Sequence, residues 1–593
     1  MTRTPLRPLA RILAARQSGQ DPDQIERENL AIRHEADRDG ARDRAEGRLL
    51  VMGVLFFCAF SLVALRMGGL AASDPSEPRA AASGAQIVAA RADITDRNGR
   101  ILATNLTTHS LYAQPPLMVD RERAARELAK IFPDLDEDRL VRQFTGARKF
   151  IWIKRRISPE QQQAVFDIGD PGLLFGPREM RLYPNGKLAA HVLGGAGFGR
   201  EGVSSAEVIG VAGIEKAMDA TLRDPGRGDQ PLALSLDLTV QAAVERVLEG
   251  GMRLMNAKGA SAVLMDAHTG EIISLASLPD FDPNNRPRPL TEGDPGDSPL
   301  FNRAVQGVYE LGSVFKIFTA AQAIEEKVVS RSTMIDTKGP LRWGRHKIRD
   351  FRNYGKALSL EDVIVKSSNI GTARVALMMG TEKQQDFYAA LGLLDATPVE
   401  LIEAGGAKPL LTKNWSDITT MTASYGHGIS VSPLHVATAY ASLLNGGQQV
   451  TPTLLKRSET QLGPRIVSED TSRQAREMLR AVVARGTASF GDVQGYAVGG
   501  KTGTADKPKA TGGYYDEKVI ATFASVFPAH DPKYILVVTL DEPVETSGKE
   551  PRRTAGWTAV PVAAEVIRRA APLLGLAPGV EPQPAYGVTL TSN

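Results

Sequence analysis

Tyr309-Glu310-Leu311-Gly312-Ser313-Val314-Phe315-Lys316, followed by the apolar run Ile317 to Ile324, is the stretch on which the reading of this chain turns. The apolar run predicts a buried helix. A serine hydroxyl is a weak nucleophile until a neighbouring base removes its proton. Three residues further along a helix, Lys316 lies on the face of Ser313 and within reach of its hydroxyl. Burial and the positive end of a helix both favour a neutral amine, which makes Lys316 a candidate general base near neutral pH. The same spacing also describes a serine that caps a helix and a lysine that points into water. Against that, this is the only Ser-x-x-Lys in the chain, and Lys316 is set among Val314, Phe315, Ile317 and Phe318, poor company for a solvated amine.

Two further motifs lie downstream. Ser367-Ser368-Asn369 follows Ser359-Leu360-Glu361-Asp362, a helix-start signature. Ser367 and Asn369 are spaced for a helix end or loop from which both side chains enter one cleft, where a hydroxyl can relay a proton and an amide can hold a peptide and Lys316. Alone, the pattern is an ordinary cap or turn. Gly500-Lys501-Thr502-Gly503-Thr504 follows Tyr496-Ala497-Val498 and reads as a strand lining a cleft. There Gly503 permits close approach of a substrate backbone, and Lys501 with its flanking hydroxyls can bind a terminal carboxylate. An exposed lysine on a turn is the plain alternative.

The rest of the chain bounds what these motifs serve. Its 593 residues exceed one ordinary core, so two or three domains plus tails are expected. A net charge of +3, from 71 basic and 68 acidic residues, leaves no electrostatic footprint for nucleic acid. The single cysteine, Cys58, excludes an internal disulfide and a cysteine-based metal site. Residues 1–48 read as a polar, helical, solvated tail. Leu49 to Leu65 carries no charge and spans roughly 25 Å as a helix, so Arg66 is expected to snorkel and let the anchor run over 49–70. The run begins too late for a cleaved signal peptide. Arg33, Arg38, Arg42, Arg44 and Arg48 precede it, against Arg66 and Arg79 after it, which puts the N-terminus in the cytoplasm and the remainder outside.

Residues 71–85 (AASDPSEPRAAASGA) read as a linker. Over 86–230, short strands such as Ile87 to Ala90 and Phe150 to Ile153 alternate with helices at Arg121 to Ile131 and Pro159 to Phe166, a first α+β domain. A new rhythm from Pro231 predicts a strand at Leu232 to Leu236, a helix at Leu238 to Leu248 and paired strands at Ala260 to Asp266 and Ile272 to Ala276. It continues to 571, and the Pro/Gly-rich 572–593 reads as a flexible tail.

In this order and separation, Ser-x-x-Lys, Ser-x-Asn and Lys-Thr-Gly resemble the motif set of serine β-lactamases and penicillin-binding proteins. The chain is similar to the class B high-molecular-weight penicillin-binding proteins, and within them to the septal transpeptidases, from Arg91 to about Pro561. Besides the three motifs, the likeness rests on Arg91-Ala92-Asp93-Ile94-Thr95-Asp96-Arg97-Asn98-Gly99, Arg181-Leu182-Tyr183-Pro184 with His191, Gly213-Ile214-Glu215, Asp266 to Glu271 with Ser277-Leu278-Pro279, and Gly428 to Pro433. Ala92 and Leu311 depart from the glycine and proline usual there.

The resemblance implies an α+β pedestal beneath an α/β, serine β-lactamase-like transpeptidase domain with a central antiparallel sheet flanked by helices. It implies Ser313 as acylated nucleophile, Lys316 as base, Ser367 and Asn369 as shuttle and positioning pair, and Lys501, Thr502, Gly503 and Thr504 as the carboxylate-binding strand. Amides of Ser313 and Thr504 would hold the oxyanion, with no metal or other cofactor. Substrates would be peptidoglycan stem peptides ending in D-Ala-D-Ala, with β-lactams as mimics. Implied partners are a polytopic membrane glycosyltransferase and other division proteins, at the inner membrane of a Gram-negative cell with the catalytic domain periplasmic. An elongation-type transpeptidase, a penicillin-recognising hydrolase and a sensor use the same motifs and stay open at this point.

Overall fold

The computed structural model describes residues 13–14, 16–72, 91–201, 206–228, 230–412, 414–461, 463–509 and 512–579. The chain divides into two units, Met1–Gln86 and Ile87–Asn593. In the first, the tail and the apolar run form one continuous helix, α1 (Pro22–Ala72). Within it Glu46–Leu65 has a mean hydropathy of 2.3 over 20 residues and no buried portion. At 1.5 Å per residue this is about 30 Å, the depth of a bilayer's hydrocarbon. Phe57, Phe60, Leu62 and Leu65 are each at least 70% exposed, which in water forfeits about 25 cal/mol for every Å² of apolar surface. A lipid phase removes that cost, so the helix is compatible with a single-pass anchor. Ala71 and Ala72, expected in the linker, still belong to α1, because alanine is the strongest helix former. The Arg66 side chain, the remaining linker, the strand at Ile87 to Ala90 and residues 580–593 lie outside what is described.

The second unit begins with a sheet built on one long strand. Strand β2 (Ile101–Ala113) pairs antiparallel with β1 (Ile94–Thr95), β3 (Ile151–Ile157) and β4 (Leu173–Leu182). Helices Arg121–Ile131, Glu137–Thr145 and Pro159–Phe166 start at Asp120, Asp136 and Ser158, each of which accepts a backbone N–H of the first turn. Their apolar faces close a core around Leu111, Leu128, Phe144, Ile151 and Val165.

At the root of this domain the scattered motifs converge on one carboxylate. Glu215, fully buried, accepts from Arg91 Nε at 2.6 Å, Arg181 Nε at 2.7 Å and Tyr183 Oη at 3.2 Å, while Arg91 Nη1 reaches Asp219 at 2.7 Å. Removing one partner of a buried ion network strands the others. Glu215→Ala is therefore expected to destabilise the unit by about 3–5 kcal/mol, read as a lowered thermal transition of the full chain. An unmoved transition would show that the network does not hold the root together.

Strand β5 (Leu232–Ala233) pairs parallel with β1 and passes the chain on. Ile94, Tyr183, Leu193 and Ile214 share a single core with residues from Leu236 to Ala571, so at 230/231 the sequence rhythm changes while the core continues. Helix α2 (Leu238–Leu254) is capped by Asp237 and followed by β6 (Gly259–Asp266) and β7 (Ile272–Leu278). With β8 (Gly499–Pro508), β9 (Tyr514–Phe527) and β10 (Tyr534–Asp541) they make an antiparallel sheet ordered β8-β9-β10-β6-β7. Every β7 residue is buried, Ser274 and Ser277 included, which is why this strand shows no alternation of apolar and charged positions.

Helices α3 (Lys316–Glu325), α4 (Leu360–Val365), α5 (Asn369–Met379), α6 (Pro433–Leu444), α7 (Glu469–Arg485) and α8 (Ala559–Leu573) belong to the same domain, with α2, α6 and α8 packed on the sheet. The expected free tail from Pro572 is packed for its first residues. Leu574 and Leu576 lie against the core, and the Gly579 amide donates to Gly495 O at 2.9 Å. The two leucines outweigh the Pro/Gly composition that suggested disorder. For the site, the main consequence is that β8 is an edge strand, backed by α7, whose unpaired side meets the turn holding Ser313.

Candidate active site

Ser313 lies in a 3₁₀ turn, Gly312–Phe315, that runs directly into α3 at Lys316. In a 3₁₀ turn residues i and i+3 eclipse, so serine and lysine share a face through a tighter turn than the α-helix the spacing predicts. Ser313 is half-buried, while Gly312, Val314, Phe315 and all of Lys316 to Ile324 are buried. The turn is pinned from below: Tyr440 Oη donates to Val314 O at 2.8 Å, and Phe315 and Phe318 pack edge-on at 5.6 Å. The nucleophile candidate thus opens to the cleft from a rigid base. Leu311, fully buried, holds the approach by packing where a proline would hold it by restricting the backbone.

Lys316 Nζ donates to Ser367 O at 2.5 Å, Asn369 Oδ1 at 2.7 Å and Ser367 Oγ at 3.0 Å. None of these acceptors is the Ser313 hydroxyl, which has no hydrogen-bond partner among the described residues. Ser367 follows α4 with φ of +63°, a left-handed conformation that costs a non-glycine residue of order 1–3 kcal/mol. In that conformation its carbonyl and hydroxyl both address Lys316. Ser368 is structural: its Oγ caps α5 by accepting from Gly371 N at 3.0 Å and donates to Asp350 Oδ2 at 2.7 Å. Asn369 Nδ2 donates to Arg349 O at 3.0 Å, which fixes the amide with Oδ1 toward Lys316.

Strand β8 brings the third motif to the same hydroxyl. Lys501 Nζ, fully buried, donates to Ser367 Oγ at 3.0 Å and to Thr502 O at 3.1 Å. The close approach that Gly503 permits is to the chain itself, since a Cβ there would collide with the Leu311 carbonyl and crowd Val314. The Thr502 and Thr487 hydroxyls lie 2.8 Å apart, and Thr504 Oγ1 accepts from Ala555 N at 3.0 Å. Thr504's backbone O and N would lie 2.9 and 3.3 Å from a Cβ on Gly312, so its peptide edge faces the Ser313 turn.

Burial, aided by the charge of Lys501, holds the Lys316 amine well below the usual lysine range; Asp350 only partly offsets this. Burial also lowers Lys501 to about 7. A serine oxygen offers two lone pairs and one hydrogen. Placed 3.0 Å from each amine, the Ser367 hydroxyl can accept from a charged Lys501 and donate to a neutral Lys316. Such an arrangement can pass a proton.

The penicillin binding protein transpeptidase domain, as a family model, matches residues 260–567, more than half of the chain. The chain belongs to the penicillin-binding protein transpeptidase family. The penicillin-binding protein dimerisation domain matches residues 86–227. A probable peptidoglycan D,D-transpeptidase FtsI of Caulobacter vibrioides is 34% identical over 557 residues, covering 91% of each chain. The peptidoglycan D,D-transpeptidase FtsI of Escherichia coli K12 is 31% identical over 490 residues, 77% of this chain and 80% of that one. Among solved structures, penicillin binding protein 3 of Mycobacterium tuberculosis, complexed with aztreonam, has a TM-score of 0.62 at 26% identity, covering 83% of this chain and 98% of that one.

Three residues of this penicillin-binding protein's cleft escaped the sequence reading. Asp350 joins Ser368 and the Ile370 amide (3.0 Å from Oδ1) and is felt by Lys316, but it lies 18 residues upstream of Ser368 with no local signal. Glu310 and His427 are the others. One stands in the quoted run before Ser313, and the other sits between Gly426 and Gly428, next to a quoted motif. An acidic residue beside a nucleophile and a histidine between glycines were the available signs.

Proposed function

We propose that this penicillin-binding protein is a peptidoglycan D,D-transpeptidase of the division septum, working through a Ser313 acyl-enzyme and open to β-lactams. The observation that carries the reading is the Ser367 hydroxyl at 3.0 Å from both Lys316 and Lys501, beside the Ser313 turn. Neutral Lys316 takes the Ser313 proton as the oxygen attacks the carbonyl of the D-Ala-D-Ala bond. Amides of Ser313 and Thr504 hold the oxyanion, a contribution typically worth about 10²–10³ in rate. The proton passes from Lys316, by way of Ser367, to the nitrogen of the departing D-Ala as the C–N bond breaks. Lys501, with the Thr502 and Thr504 hydroxyls on the Gly503 strand, grips the substrate's terminal carboxylate, and Asn369 positions the peptide and Lys316. An amine of a neighbouring stem then takes the acyl group.

The septal assignment is supported by the names of the Caulobacter and Escherichia relatives. In this reading residues 86–230 form the pedestal and 231–571 the transpeptidase domain. The anchor crosses the inner membrane once with the N-terminus cytoplasmic, the orientation that the arginine bias favours, and works beside a polytopic glycosyltransferase. The test is to give the full chain in detergent a stem peptide ending in D-Ala-D-Ala together with an amine acceptor. D-Ala release matched by cross-linked product is expected. Release matched only by the hydrolysed peptide would make the chain a carboxypeptidase or hydrolase instead.

A further inference from the structure

Beside the Ser313 turn is a second polar cluster that the steps above leave unused. Glu310, three residues before the nucleophile and largely buried, accepts from Gly428 N at 2.9 Å, from Tyr514 Oη at 3.1 Å and from His427 Nδ1 at 3.0 Å. Burial alone would raise this carboxyl, yet the bonds from His427, Gly428 and Tyr514 outweigh it and hold the group below its usual range. An ionised carboxylate can only accept, so His427 carries its hydrogen on Nδ1 and offers Nε2 as the basic edge. That nitrogen has no partner among the described residues, and the side chain is 33% exposed. Tyr425 and Tyr514 flank the ring edge-on at 5.4 and 6.5 Å.

The loop bearing His427 is fixed to the nucleophile turn. Gly312 N donates to Gly426 O at 3.3 Å, and any Cβ on Gly426 would collide with the Gly312 carbonyl. The result is a carboxylate-oriented imidazole on the backbone that abuts Ser313. It lies outside the Lys316–Ser367–Lys501 cluster.

An alkylamine acceptor, with a pKa near 10.4, is the free base in fewer than about one molecule in a thousand at neutral pH. It must shed two protons to become an amide nitrogen. We propose that His427, held by Glu310, takes the first of them through Nε2 and so turns the arriving ammonium into a nucleophile. This rests on the acyl-transfer reading above. The amine then attacks the Ser313 ester, the N–C bond forms, and the C–Oγ bond breaks. The second proton travels from nitrogen to Ser313 Oγ by way of Lys316 and Ser367. The first leaves the imidazolium for bulk water, so atoms and charge balance. Imidazole suits the task because it is the side chain that exchanges a proton near neutrality.

The experiment uses the full chain in detergent, wild type and His427→Gln. Glutamine can still donate to Glu310 but is not a base. For both proteins one measures acylation by fluorescent penicillin, and transfer from a stem-peptide thioester donor to the ε-amine of Nα-acetyl-lysine, an alkylamine of pKa near 10.4, and to hydroxylamine, which is already unprotonated at neutral pH. Expected for His427→Gln are acylation within about threefold of wild type, transfer to Nα-acetyl-lysine lowered at least about tenfold, and hydroxylamine transfer within about threefold. Wild-type transfer to Nα-acetyl-lysine in the variant overturns the proposal. So does an equal loss with hydroxylamine, or a matching loss of acylation, either of which would make His427 structural. A wild-type chain that is acylated but passes the group only to water fails the transpeptidase reading, and the His427 proposal falls with it.

Discussion

Ser313→Ala is expected to abolish the covalent adduct with fluorescent penicillin, while wild-type protein carries a label that outlasts a chase with excess unlabelled drug. The variant is a clean chemical deletion. Its hydroxyl has no hydrogen-bond partner among the described residues, and alanine suits the 3₁₀ turn, so stability should stay within about 0.5 kcal/mol of wild type. The turn itself is fixed by Tyr440 and the Phe315–Phe318 pair, which the substitution does not touch. A lost adduct with an unmoved thermal transition therefore reports the nucleophile and not the fold. Residual label on the variant would direct attention to Ser367, whose hydroxyl touches both lysines. Rapid loss of label from wild type would mean that water competes well for the acyl group, as in a β-lactamase.

The elements that sequence alone revealed are those whose cause is local. Arg121–Ile131 and Pro159–Phe166 begin at a capping Asp and a capping Ser, and their limits were readable to the residue. The candidate motifs were readable because Ser313 and Lys316 lie three residues apart on one turn. What stayed hidden depends on contacts distant in sequence. Glu215 gathers Arg91 from 124 residues away, and nothing near it shows that the pedestal's root shares the catalytic core. The left-handed Ser367 could not be anticipated, since β-turn and cap chemistry both allow serine without demanding positive φ. At Gly503 a glycine marks a close approach without naming what approaches, and the neighbour it meets in the fold is the Leu311 carbonyl. Composition misjudged only the first residues after Pro572, where Leu574 and Leu576 pack against the core.

Lys316→Met should lower the second-order rate of acylation by penicillin on the order of 10³-fold, the scale on which a positioned base acts. The exchange sets two terms against each other. Methionine removes a desolvated amine from a fully buried site, but it leaves Ser367 O and Asn369 Oδ1 without their donor, about 1–3 kcal/mol for each acceptor that water cannot reach. Ser367 and Asn369 are only half-buried, so water can replace the lost donor and the folded chain should survive with a modest change in its thermal transition. The pH profile then separates a base from a structural cation. In wild type, acylation should fall as pH rises through about 7, because Lys501 loses the proton with which it holds a carboxylate. Burial lowers both amines, and Lys316, brought well below its usual range while Lys501 is brought to about 7, gives up its proton first. The resting pair therefore carries its charge on Lys501. Deleting a neutral amine should leave the alkaline limb near pH 7 while the rate at every pH drops. A limb displaced upward by a unit or more would mean that Lys316 was charged, and the proton taken from Ser313 would need another acceptor.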